Sequence, residues 1–182
     1  MPVKRRIRIS LVLLCITAIL FGVCKWWFDM GVWGAAWNGN LPDLRRRLDY
    51  GANPDSSWQG RSALGGAIVH HHREVAVLLL QRGADPNNAV YAAVKRGDPA
   101  LVALMFTHGL DVHGKETRSA LSTAIEDGRA DMVALLLRHG INPNARGAYD
   151  RKTPLQEAHA GYALEQHDSA RILALLRAAG AK

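Results

Sequence analysis

The stretch Arg82-Gly83-Ala84-Asp85-Pro86-Asn87 reads RGADPN, and close copies of it recur along the chain. YGANPD covers residues 50–55, HGLDVH residues 108–113 and HGINPN residues 139–144, and AAGAK closes the sequence. In the first four copies the glycine is succeeded two residues later by Asp or Asn. Glycine takes the left-handed conformation without a β-carbon clash, and Asp or Asn can bond its own backbone and hold a tight turn. The glycines Gly51, Gly83, Gly109, Gly140 and Gly180 are spaced by 32, 26, 31 and 40 residues. A recurrence in that range predicts stacked units.

A second pattern lies between the turns. Arg61-Ser62-Ala63-Leu64 is echoed by Arg118-Ser119-Ala120-Leu121 and Lys152-Thr153-Pro154-Leu155. Ser62, Ser119 and Thr153 are read as caps of a first helix, accepting a bond from its free N–H groups. Ala67, Ala93, Ala124 and Ala158 are small enough for neighbouring helices to approach. A second helix comes next, with Leu and Val at three- and four-residue intervals, as in Val75 to Leu80 and Met132 to Leu137. No such unit buries its own apolar face, so stacking supplies the missing partner.

The pattern resembles the ankyrin repeat, a turn followed by two antiparallel helices, and covers nearly all of the chain after its N-terminal segment. The resemblance implies an all-α repeat solenoid of about five units, at 30–53, 54–85, 86–111, 112–142 and 143–181, within a domain spanning 29–182. Two units depart from the pattern. The third is short and passes from Asp85-Pro86-Asn87 into its helix without the hairpin finger expected at Asp55 to Gly60, Val112 to Glu116 and Arg146 to Arg151. The fifth is long, with extra residues around Tyr162 to His167. In addition, His71 stands where Gly97 and Gly128 end the first helices of other units.

Charge divides the chain. The formal net charge is +7, but no acid precedes Asp29, while Lys4, Arg5, Arg6, Arg8 and Lys25 are basic. The remainder carries 18 basic and 16 acidic side chains. This is poor material for a nucleic-acid stripe, and Arg45-Arg46-Arg47 spreads around a helix. Residues 9–23, ISLVLLCITAILFGV, are uncharged, and Lys25-Trp26-Trp27-Phe28 lies just beyond them. The expectation is a basic cytoplasmic tail at 1–8 and a transmembrane signal-anchor helix at 9–28. The body would then be tethered to the inner (plasma) membrane as a single-pass protein and face the periplasm in a bacterium. A cleaved signal or a lipoprotein at Cys24 are competing readings; no small-residue cleavage site comes after the apolar run.

Chemistry is sparse. Cys15 and Cys24 both precede the body, which therefore has no thiol nucleophile and no Cys metal ligand. Consecutive His70-His71-His72 do not share a helix face, so a metal site is not expected. Gly60, Gly65 and Gly66 lack phosphate-loop spacing. No cofactor and no enzyme activity are expected. The leading function is a protein-binding module with a monomeric body, its partner unidentified. The alternatives are a structural component of a membrane complex acting by self-association and, more remotely, nucleic-acid binding. The partner-binding candidates are Trp58 and Tyr149 in the fingers, with Asn38, His70, Tyr91, Lys95, Arg96, Glu126 and Asp127 on the first helices. Lys95-Arg96 and Glu126-Asp127 are opposite in sign on adjacent units. The absent third finger is expected to leave a gap, with Tyr91 either on its floor or folded over to seal the stack.

Overall fold

The computed structural model describes Trp27 and residues 29–147, 152–163 and 168–182. Residues 29–37 are helical (α1). The chain continues through α2 (Leu41–Asp49), the hairpin strands β1 (Ser57–Trp58) and β2 (Arg61–Ser62), α3 (Ala63–Val69) and α4 (Arg73–Gln81). A 3-10 turn at Pro86–Asn88 leads into α5 (Val90–Arg96) and α6 (Pro99–Thr107). Then come α7 (Lys115–Glu126), α8 (Ala130–Arg138), α9 (Pro154–Ala163) and α10 (Ser169–Ala178). First helices pack in one row, α3 on α5, α5 on α7 and α7 on α9. Second helices form another, α2 on α4, α4 on α6, α6 on α8 and α8 on α10.

The turns are built alike. After α4, the Gly83 N–H donates to Leu80 O at 3.0 Å and the Ala84 N–H to Leu79 O at 3.0 Å. The same two bonds recur after α2, α6, α8 and α10. All five closing glycines have φ between +83° and +90°, where a β-carbon would be strained. The residues next after four of them, Ala52, Ala84, Leu110 and Ile141, are buried. Each turn therefore ends one helix and also drops an apolar side chain into the core.

The core runs between the two rows. Ala36, Ala67, Ala93 and Ala124 on the first helices are fully buried, and Ala158 nearly so. Leu44, Leu79, Val102, Leu136 and Leu176 fill the space from the second helices. Burying each large aliphatic side chain contributes about 1.5–3 kcal/mol.

Local capping agrees with the sequence in part. Ser62 Oγ accepts the Gly65 N–H at 3.0 Å. Thr153 and Gln156 form a reciprocal box at the start of α9, with Gln156 N–H on Thr153 Oγ1 and Thr153 N–H on Gln156 Oε1. The expected cap at Ser119 is not formed. Helix α7 begins a full turn earlier, at Lys115 after Gly114, and Ser119 Oγ donates to Lys115 O at 3.1 Å inside it. The expected finger at Val112 to Glu116 is thereby reduced to a turn at 112–114, with Lys115 and Glu116 taken into α7. Thr117 stabilises that start, being fully buried and donating to Asp111 O at 2.6 Å.

The membrane expectation requires correction. No helix among the described residues is long and apolar enough to cross a membrane. The span 9–28 on which the signal anchor was placed lies outside the described residues, apart from Trp27. Its uncharged part, 9–23, has 15 residues, which as a helix would reach about 22 Å against a bilayer core of about 30 Å. Lys25 separates that run from the aromatic residues 26–28. The transmembrane tether, the membrane as a partner, the single-pass inner-membrane topology and a body facing the periplasm all rested on that helix, and they fall with it.

Candidate functional site

Counting back from the residue that ends each first helix aligns the exposed side chains. Gly39, His71, Gly97 and Gly128 hold that place, all left-handed, with φ of +71°, +64°, +71° and +68°. One residue earlier stand Asn38, His70, Arg96 and Asp127. Two residues earlier stand Trp37, Val69, Lys95 and Glu126; six earlier, Trp33, Gly65, Tyr91 and Ser122. Of the candidates read from sequence, Asn38, His70, Tyr91, Lys95, Arg96, Glu126 and Asp127 therefore share the row of first helices. Trp58 lies on the β1–β2 finger that enters α3, and Tyr149 lies outside the described residues.

The second-helix start braces this row. His72 Nε2 lies 3.2 Å from Trp37 O, and a β-carbon on Gly39 would collide with the His72 ring. Arg129 holds the same place two units on. Its Nη1 donates to Val94 O at 3.4 Å, and its guanidinium leaves no room for a β-carbon on Gly97. The histidine triple thus divides its work: His72 is structural, His71 ends the helix and His70 is presented on the face. Among the described residues no group of three or more His, Cys, Asp or Glu side chains could hold a metal ion.

At the N-terminal side the face is aromatic. Trp33 and Trp37 stack with centroids 4.9 Å apart, and His70 lies 4.1 Å from Trp37. The Arg61 guanidinium stands 5.8 Å from the Trp37 centroid, within cation–π range. Trp58, 42% exposed, pairs across the finger with Arg61. Gly66 lets Trp37 lie close, since a β-carbon there would press on its ring at 3.1 Å. Sequence reading missed Trp33, Trp37 and Arg61 as members of the face. The count back from Gly39 would have found the two tryptophans, because it places Trp37 level with Val69 and Lys95.

In the middle, Tyr91 is 52% exposed and does not seal the stack. It lines a cleft of about 400 Å³ with Lys115, Glu116 and Ser119, the residues of the early-starting α7. The floor expected at Tyr91 is thus walled on one side by a helix end rather than by a finger. Lys95 Nζ meets Asp127 Oδ1 at 2.8 Å, so one of the opposite-sign pairs is satisfied across units. The Asp127 carboxylate, by its hydrogen bond first and its charge second, raises the Lys95 pKa above the ordinary lysine value.

A family model for ankyrin repeats, in three copies, matches residues 90–181, just over half of the chain. The chain belongs to the ankyrin repeat family. Among curated proteins no relative matches it. The ankyrin fold generally serves as a scaffold for protein interaction. In this ankyrin stack, Trp58 on the finger and Tyr91 on the first-helix row are exposed, as is Tyr50 at the end of α2 in the other row.

Proposed function

We propose that the chain is a non-enzymatic protein-binding module whose partner meets the β1–β2 finger and the first helices. The observation that carries this reading is the exposure of two large aromatic side chains, Trp58 and Tyr91, near the starts of adjacent first helices. Ser62 Oγ to Asn88 O, at 3.4 Å, ties those two starts together. Exposed aromatics lose little conformational entropy on binding and commonly carry about 2 kcal/mol or more in interfaces. The family membership supports the same class of function.

The test is site-specific photo-crosslinking in the native host. The full chain would carry a photoreactive amino acid at Tyr91 or, as a control, at Ala100 on the start of α6 in the other helix row. Protein adducts from position 91 and none from position 100 are expected. Adducts from position 100 alone, or from neither position, would contradict the reading.

A further inference from the structure

The proposed face has a definite charge pattern, which names the chemistry of its occupant. Residues 31–38, 56–71 and 88–96 make up most of the finger and first helices of the first three pairs, leaving out Asp29 at the start of α1 and Asp55 at the base of the finger. They contain no Asp or Glu, but they do contain Arg61, His70, His71, Lys95 and Arg96. The nearby acids are used in the turns: Asp29 accepts the Asn53 N–H and Asp55 the Asp85 N–H, while Asp85 accepts from Asn87. After Asp29 at the start of α1, the next acids of the first-helix row are Glu116, Glu126 and Asp127 on and just after α7, which also carries Lys115 and Arg118. The face is thus basic from the finger to α5 and mixed in sign on α7.

Two of the cations are uncompensated. Lys95 is neutralised by Asp127, whereas Arg61 and Arg96 have no carboxylate within ion-pair distance among the described residues. Arg61 stands among aromatic rings, and Arg96 shares a helix with one. Arg61 lies over Trp37 and opposite Trp58, and Arg96 lies on the helix of Tyr91. Between Trp33 and Tyr91 the aligned position is Gly65. A β-carbon there would meet Ser62 Oγ at 3.0 Å and Asn88 O at 3.8 Å.

We propose that this face receives an extended acidic segment of the partner protein, carrying one aromatic or large apolar anchor. This deepens the protein-binding reading above and rests on it. The anchor packs over Gly65 between Trp33/Trp37 and Tyr91, and flanking carboxylates pair with Arg61 and Arg96. Arginine suits this role because its planar fork binds a carboxylate through two hydrogen bonds. Glu116 and Glu126 disfavour extension of the segment onto α7, where Asp127 is already held by Lys95, and the free arginines disfavour basic sequences. A basic, aromatic surface also suits single-stranded nucleic acid. Two free arginines are few beside the many phosphate contacts that such binding uses, so the acidic peptide is favoured.

The test is selection of a random peptide display library on the immobilised full chain, with the Arg61→Glu/Arg96→Glu variant as counter-screen. Both arginines are exposed, so the variant should melt as wild type does. An Arg61→Gln/Arg96→Gln variant separates loss of charge from its reversal. Enriched peptides should hold at least threefold more Asp plus Glu than the library, with an aromatic or large apolar residue among them. Their affinity should fall at least tenfold on the Glu variant and less on the Gln variant. Neutral or basic enrichment, equal binding to the Glu variant, or no enrichment would overturn the proposal. Tighter, arginine-dependent binding of an oligothymidylate probe would overturn it in favour of nucleic acid. Crosslinks at position 91 together with neutral or basic enrichment would leave the protein-binding reading standing and remove only the acidic partner.

Discussion

The side-chain oxygen of Asn87 accepts the backbone N–H of Asp111, at 2.9 Å, and so joins one turn to the next. The bond is one rung of a relay. Asp29 accepts from Asn53, Asp55 from Asp85, and Asn144 from Lys182. Within each turn the first Asx also holds the residue two places on: Asn53 holds Asp55, Asp85 holds Asn87, Asp111 holds His113, and Asn142 holds Asn144. The repeated turn sequence therefore encodes both the local turn and the link between units.

The relay has one gap, at His113, the residue that would reach Asn142. Histidine has no oxygen to offer there. His113→Asn should complete the rung and raise unfolding free energy by about 0.5–1 kcal/mol, the net worth of an exposed hydrogen bond. Asn87→Ala, which removes an existing rung, should lower it by about 1–2 kcal/mol. Urea denaturation of the full chain measures both, and an unchanged midpoint in both variants would show that the rungs carry no stability.

His71 holds a left-handed φ of +64° where its counterparts are glycine. A β-carbon in that region costs about 1–2 kcal/mol. His71→Gly should stabilise by about 1 kcal/mol, a gain reduced because glycine also frees the unfolded chain. The melting temperature of the full chain tests this; a fall would mean that His71 makes a compensating contact.

Asp98 caps α6 through the Leu101 N–H at 2.9 Å and pairs with Arg73 from the preceding unit. Burial works to raise its pKa, but the hydrogen bonds from Arg73 and from Leu101 outweigh it, and the carboxyl titrates below its usual range. A group with a depressed folded pKa adds stability that is present above its unfolded pKa and lost as pH falls through the folded one. Asp98→Ala should therefore destabilise by about 1–2 kcal/mol at pH 7. The difference from wild type should shrink as pH falls below about 4. Denaturation midpoints from about pH 7 down to about pH 2.5 give the comparison, and a pH-independent difference would contradict it.

Tyr91 is half exposed, which makes its role separable from folding. Tyr91→Ala should change unfolding free energy by less than about 1 kcal/mol. A loss of about 3 kcal/mol, as for a buried aromatic, would mean that the ring holds the stack together.

The repeating fold was legible because its physics is local. A left-handed glycine, an Asx turn and apolar spacing each leave a mark at fixed distance, as at Gly83, Asp85 and Leu79. The start of α7 was not legible. Ser119 carries the same cap signature as Ser62, but buried Thr117 and its bond to Asp111 O extend the helix a turn further back, and only packing decides that. Individual face residues were readable wherever the helix-ending residue could be counted from. That count reaches Asn38, His70 and Lys95, and it reaches Trp33 and Trp37 only once Gly39 is known to end α1. The apolar stretch at 9–23 misled because composition matched a membrane helix while length did not.

The central claim is that a protein partner binds the finger and the first-helix row. The measurement is the affinity of the crosslinked partner for the full chain, for Trp58→Ala/Tyr91→Ala and for Ala100→Arg on the opposite row. The expected result is at least a tenfold loss in the aromatic double variant and less than a twofold change at Ala100, with all three proteins melting alike. Unchanged affinity in the double variant, with a large loss at Ala100→Arg, would place the interface on the second helices and contradict it.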